Sequence, residues 1–155
     1  MKQIDRRNFL RMVGAGSAVM AAAAALPTAG LLTWADKDIF KFRAVTGLPK
    51  PPLPHYASLV MEGTLDLNAG SGTVTKTLYA GAPDAMSGIT FPGTARVIQV
   101  TGVRRYADRV EIAGVIDGAA QLARVESRSV SIVIDRASQL ARANFMGTDV
   151  LMRVE

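Results

Sequence analysis

One imidazole, a scatter of carboxylates and a run of arginines are the residues of this 155-residue chain that could do chemistry. His55 is the single histidine, and there is no cysteine. A zinc site takes three or four ligands, so His55 would need carboxylates alone beside it. Standing directly after Pro51-Pro52-Leu53-Pro54, it reads as a structural hydrogen-bonder. A serine nucleophile at Ser71 or Ser87 would need a base, and only His55 is on offer, without a supporting motif. Asp108, Glu111 and Asp117 are close enough in sequence to suggest paired acid–base work. The strand expected over 109–116 separates them: Asp108 and Asp117 fall in turns at its two ends, and Glu111 lies on its solvent face with Arg109. The missing cysteines exclude disulfides, thiolate metal sites, iron–sulfur clusters and a thiol nucleophile. The expected catalytic set is empty, and neither a metal nor another cofactor is expected.

The arginines are the more distinctive chemistry. After Lys76 every basic residue is Arg: Arg96, Arg104, Arg105, Arg109, Arg124, Arg128, Arg136, Arg142 and Arg153. Guanidinium groups grip carboxylates and phosphates bidentately. Arg104, Arg105 and Arg109 surround one turn and form a candidate anion or lipid-headgroup site. The alternative is cross-strand pairing with Glu111, Glu126 and Asp135. The Asn68–Gly72 loop precedes a strand instead of opening a helix, so it matches no phosphate-cradling motif.

The elements that position these residues are strands. In 59–67, Leu59, Met61, Leu65 and Leu67 share one face, with Glu62, Thr64 and Asp66 on the other. Asn68 to Gly72 turns the chain, and Thr73–Tyr79 pairs back as a hairpin. Further strands are expected over 94–103, 109–116, 127–134, 141–145 and 150–154, separated by turn signals at about the eight-to-twelve-residue spacing of all-β domains. Gly118–Val125 fits a helix, or a loop plus strand. The fold class is all-β: an antiparallel β-sandwich or small β-barrel of about seven or eight short strands. Strands this short argue against an outer-membrane barrel.

Residues 36–56 read as a Pro-rich extended linker, because the four prolines of Pro49–Pro54 fix φ and remove backbone donors. Ahead of it, Lys2, Arg6, Arg7 and Arg11 precede an uncharged, Ala- and Gly-rich run. Arg6-Arg7-Asn8-Phe9-Leu10-Arg11 resembles the twin-arginine translocation motif, in which two arginines are followed by x-Phe-Leu-Lys. Arg6, Arg7, Phe9 and Leu10 match it. Arg11 keeps the charge of the usual Lys, and Asp5 replaces the usual Ser or Thr. The resemblance implies a signal helix over 1–35, removed after Ala35 in Thr33-Trp34-Ala35 or retained as an anchor. It implies the twin-arginine translocase as a partner during export and a periplasmic or other extracytoplasmic location. Contact with the membrane is expected only through an uncleaved signal.

The chain carries a formal charge of +5, and the part beyond the signal only +2. That leaves no electrostatic footprint for nucleic acid. The expected mature domain, 57–155, is therefore an exported, cofactor-free binding or interaction module, or an accessory subunit with a protein partner. The alternatives are a small barrel that binds an apolar or anionic ligand and a hydrolase built on His55.

Overall fold

The computed structural model describes residues 38–50, 53–118 and 120–155, without the side chains of 49, 50 and 53–55. The signal segment with Arg6, Arg7, Phe9, Leu10 and Ala35 lies outside the described residues, as does the side chain of His55. Eight strands follow one another: β1 Ile39–Lys50, β2 Leu53–Asp66, β3 Ser71–Ala80, β4 Arg96–Arg105, β5 Arg109–Ile116, β6 Ser129–Asp135, β7 Leu140–Phe145 and β8 Thr148–Val154. Each pairs antiparallel with the next, and β8 closes on β1. Of the two architectures the strand pattern allows, the chain adopts the closed barrel, and no described residue is helical.

The period-two pattern decides what fills it. Phe40, Phe42 and Ala44 of β1, Leu59, Met61 and Leu65 of β2, and Ile98 and Val100 of β4 point inward. Val110, Ile112 and Ile116, then Val130, Ile132 and Ile134, then Val150, Met152 and Val154 continue the same core on β5, β6 and β8. An eight-stranded barrel has an interior just wide enough for side chains to fill. Outward positions carry Lys41, Arg43, Glu62, Arg104, Glu111, Arg142 and Arg153, the reverse of a lipid-facing barrel's apolar exterior.

Residues 36–56 are not a linker ahead of the domain. Most of the stretch is β1, registered residue for residue on β2 from Ile39↔Asp66 to Leu48↔Ala57. Phe40 and Phe42 provide the alternation that makes it a barrel wall. Pro49 sits at the register shift between Leu48 and Lys50, and Pro54 lies beyond the last β2–β3 pair, Ala57↔Ala80, so their missing N–H groups break no ladder bond there. The described residues of 118–125 form a loop and supply neither helix nor strand.

The two ends of the barrel differ. One carries tight turns over 67–70, 106–108 and 136–139. The other carries the β1–β2 tip, long connections over 81–95 and 117–128, and the β7–β8 turn at Met146-Gly147. Leu48, Tyr56, Phe91, Ala120 and Leu122 pack onto the core from that loop end, with Tyr56 and Phe91 edge to face at 6.3 Å.

Gly63 fixes how tightly the β1–β2 wall packs. It stands opposite Phe42, and a Cβ at Gly63 would lie 2.2 Å from Phe42 Cε1, so the ring occupies the room a side chain would need. Gly63→Ala is expected to destabilise the fold by about 1–3 kcal/mol through overpacking. In urea unfolding its midpoint should fall with the m-value unchanged, and adding Phe42→Leu should recover part of the loss. An unchanged midpoint for Gly63→Ala would contradict this packing.

Candidate functional site

Two of the barrel's inward positions are cationic. On β3 the alternation Val74, Lys76, Leu78 carries Lys76 inside, and on β4 Arg96, Ile98, Val100 does the same for Arg96. Register sets them directly opposite one another. They are 1% and 2% exposed. Like charges facing each other across a ladder repel, and burial without compensation is costly.

Compensation comes from Glu126 on the β5–β6 connection, whose side chain is 4% exposed. Arg96 Nε donates to Glu126 Oε1 and Nη2 to Oε2, both at 2.9 Å, which is the side-on bidentate fork. Arg96 Nη1 donates to the carbonyls of Gly93 at 2.8 Å and Ala95 at 3.0 Å, so its own loop fixes the fork from behind. The Ala123 N–H donates to Glu126 Oε2 at 3.1 Å, and the Met146 N–H also serves the carboxylate. The Arg96 bond leads these in holding the Glu126 carboxyl below its ordinary value.

The β7–β8 turn completes the cluster. Met146 and Gly147 both have positive φ, 51° and 86°, the pattern of a two-residue type I′ hairpin turn. A left-handed Met is uncommon, since its Cβ crowds the following carbonyl. The turn is secured by Gly147 N–H to Asn144 Oδ1 at 3.0 Å and by Asn144 Nδ2 to Asp149 Oδ1 at 3.1 Å. In this position it offers Met146 N–H to Glu126 and the Asn144 carbonyl to Lys76 Nζ, the latter at 2.7 Å. Arg128 ties the β5–β6 connection down by donating to the carbonyls of Asp117 at 2.8 Å and Gly118 at 3.2 Å.

The cluster thus holds two cations and one anion out of water. Burial pulls the Lys76 ammonium down from 10.5 to about 8, against the smaller opposing pull of Glu126. At about 1.4 kcal/mol per pKa unit, keeping that charge inside opposes folding by about 3 kcal/mol.

The arginines singled out by sequence lie at the opposite, turn-bearing end. Arg109 donates from Nε to Glu111 at 2.9 Å, approaches Asp108 at 3.3 Å, and lies over the Tyr106 ring at 4.2 Å. Glu111 raises its pKa further. Arg109 is therefore committed to neighbouring acids, while Arg104 and Arg105 are exposed at the end of β4. Asp108 and Asp117 do sit at opposite ends of β5. Ser87 Oγ donates to the Ala80 carbonyl at 3.0 Å, a loop bond. Asp135 accepts from the backbone and hydroxyl of Ser138, which hold its carboxyl low, so it serves a turn. Among the described residues, no three His, Cys, Asp or Glu side chains gather as a metal-binding set. Sequence named Arg96 only within the arginine set and Glu126 only as a pairing partner for that set, and it did not single out Lys76, although the parity of β3 and β4 points both cations inward.

Lys76 binds its proton less tightly in the barrel than in the unfolded chain. The penalty of its charge is therefore full below about pH 8 and lifts as pH rises toward 10.5. Lys76→Met is expected to stabilise the protein at pH 7 by about 1–3 kcal/mol, because it leaves Arg96 and Glu126 balanced. Urea unfolding should show this gain shrinking between pH 7 and pH 10. Glu126→Ala, which strands both cations, should cost about 3–5 kcal/mol at pH 7. A destabilised Lys76→Met would contradict the account.

Comparison of the chain with known protein families, curated proteins and solved structures finds no match.

Proposed function

We propose that the chain is exported by the twin-arginine route and that its barrel acts outside the cytoplasm as a non-catalytic binding module, accessory to a larger exported assembly. Its working face is the loop-bearing end. The observation that carries this reading is the concentration of costly features there: three buried charges and two long connections meet at one end. Strained and destabilising arrangements gather where a protein is selected for something other than stability. The opposite end is built of short turns and neighbouring ion pairs. Binding is favoured over catalysis because the interior is filled by core side chains and the Ser58 and Ser87 hydroxyls make loop bonds.

The same end offers apolar contact surface. Ile89 on the β3–β4 connection is 69% exposed and Val125 on the β5–β6 connection 75%. Val125 packs against the β7–β8 turn, since its Cγ2 fills the space a Cβ on Gly147 would take. Large exposed apolar side chains on neighbouring loops suit a protein contact.

Two measurements test the reading. With Arg6 and Arg7 both changed to Lys, the protein should remain in the cytoplasmic fraction, whereas the wild-type chain should be recovered outside it. A photo-crosslinking residue at Ile89 or Val125 should yield a discrete protein adduct in cells, and one at Tyr106 or Arg136 should not. Export unaffected by the arginine change, or adducts only from the turn-bearing end, would overturn the proposal.

A further inference from the structure

The Arg96 site has the form of a carboxylate receptor, and Glu126 is its occupant. Three observations carry this. The guanidinium is positioned without Glu126, because Nη1 is held by Gly93 and Ala95 while Nε and Nη2 face the carboxylate. The carboxylate comes from a connection and not from a strand, so moving it away breaks no ladder hydrogen bond. Lys76, 1% exposed, uses one of its three N–H donors on Asn144 and leaves the buried cluster with one more cation than anion among the described residues. A side-on guanidinium is complementary to a two-oxygen anion.

We propose that Arg96 anchors a binding site for a small organic carboxylate at the loop end of the barrel, and that the chain's own Glu126 holds this site until such a ligand displaces it. The surroundings define the ligand class further. Phe91 lies two residues before Gly93, and Leu122 lies next to Ala123, and both pack on the core. Apolar residues next in sequence to the groups that hold the fork make a carboxylate with an apolar tail the ligand to test against inorganic phosphate. This deepens the binding-module reading and rests on it: the ligand acts at the face assigned to the partner, and its displacement of Glu126 releases the connection that carries Val125.

The test uses the purified full chain and four sodium salts: acetate, octanoate, phosphate and chloride. In wild-type protein, octanoate should shift the Arg96 Nε–H resonance in a saturable way, while chloride at equal ionic strength leaves it in place. Glu126→Ala vacates the site, and its carboxylate binding should be at least about tenfold tighter than wild type, seen as a larger rise in melting temperature. Because Glu126→Ala alone carries a large stability cost, the same substitution in the Lys76→Met background is the second variant, and it keeps the Arg96 fork. Adding Arg96→Met should abolish the carboxylate effect. A wild-type Arg96 resonance unmoved by octanoate up to its solubility overturns the proposal. So does a vacated site that prefers carboxylate no more than chloride, or responds equally without Arg96. Crosslinking from Ile89 and Val125 does not depend on any of these outcomes, so adducts without carboxylate binding would sink the site and leave the binding module standing.

Discussion

Closure of the sheet is the constraint from which the other features follow. β1 and β8 meet at only two registered pairs, Ala44↔Val154 and Val45↔Arg153. The seam is reinforced by the Glu155 N–H donating to the Arg43 carbonyl at 2.8 Å, and by an Arg43 side chain shared between Glu62 and Glu155. An open eight-stranded sheet would leave two long edges and an apolar face wet. Once closed, every inward side chain faces the opposite wall at short range, which is why a core of Val, Ile, Leu, Met, Phe and Ala suffices without disulfides, while the Phe42 ring lies along its own wall over Gly63.

Closure also makes the inward Lys76 and Arg96 expensive. In an open sheet their long stems could carry the charged heads to water. Inside the tube they are within reach only of what the barrel and its connections bring to them: the Asn144 carbonyl, the Gly93 and Ala95 carbonyls, and Glu126. A buried bidentate pair is strongly destabilising to break yet adds little over well-packed apolar residues. The cluster is therefore a specifying device. It fixes where the β5–β6 connection and the β7–β8 turn must sit, and it provides the loop end with its distinctive chemistry.

Most of the barrel was legible because period-two alternation and turn chemistry agree along the chain. The inward set on β2 was readable residue by residue, as were the turn at Asn68–Gly72 and the approximate ranges of the later strands. Two things were not. The prolines of 49–54 dominated the reading of 36–56 and hid the alternation of Phe40 and Phe42, since proline's local effect is legible while its position at a strand edge depends on the register of the neighbours. The charged cluster was hidden for a related reason. Parity marks Lys76 and Arg96 as inward, but a long cationic side chain at such a position ordinarily reads as one that reaches solvent, and Glu126 lies in a connection with no periodicity to place it. The pairing joins residues thirty apart through tertiary contact alone. The Arg104, Arg105 and Arg109 group was legible as a cluster at one turn with Glu111 as a possible partner, whereas the engagement of Arg109 by Asp108 and Tyr106 is visible only once side chains are in place.

The character of the loop end depends on Lys76 lying inside the closed barrel as a charged group opposite Arg96. The most direct test is the titration of the Lys76 side-chain amine by nuclear magnetic resonance in the folded full chain. The account predicts a midpoint of about 8, lowered by burial. A midpoint at the ordinary lysine value near 10.5 would contradict it, because it would place the ammonium in water and leave the loop end without its buried cluster.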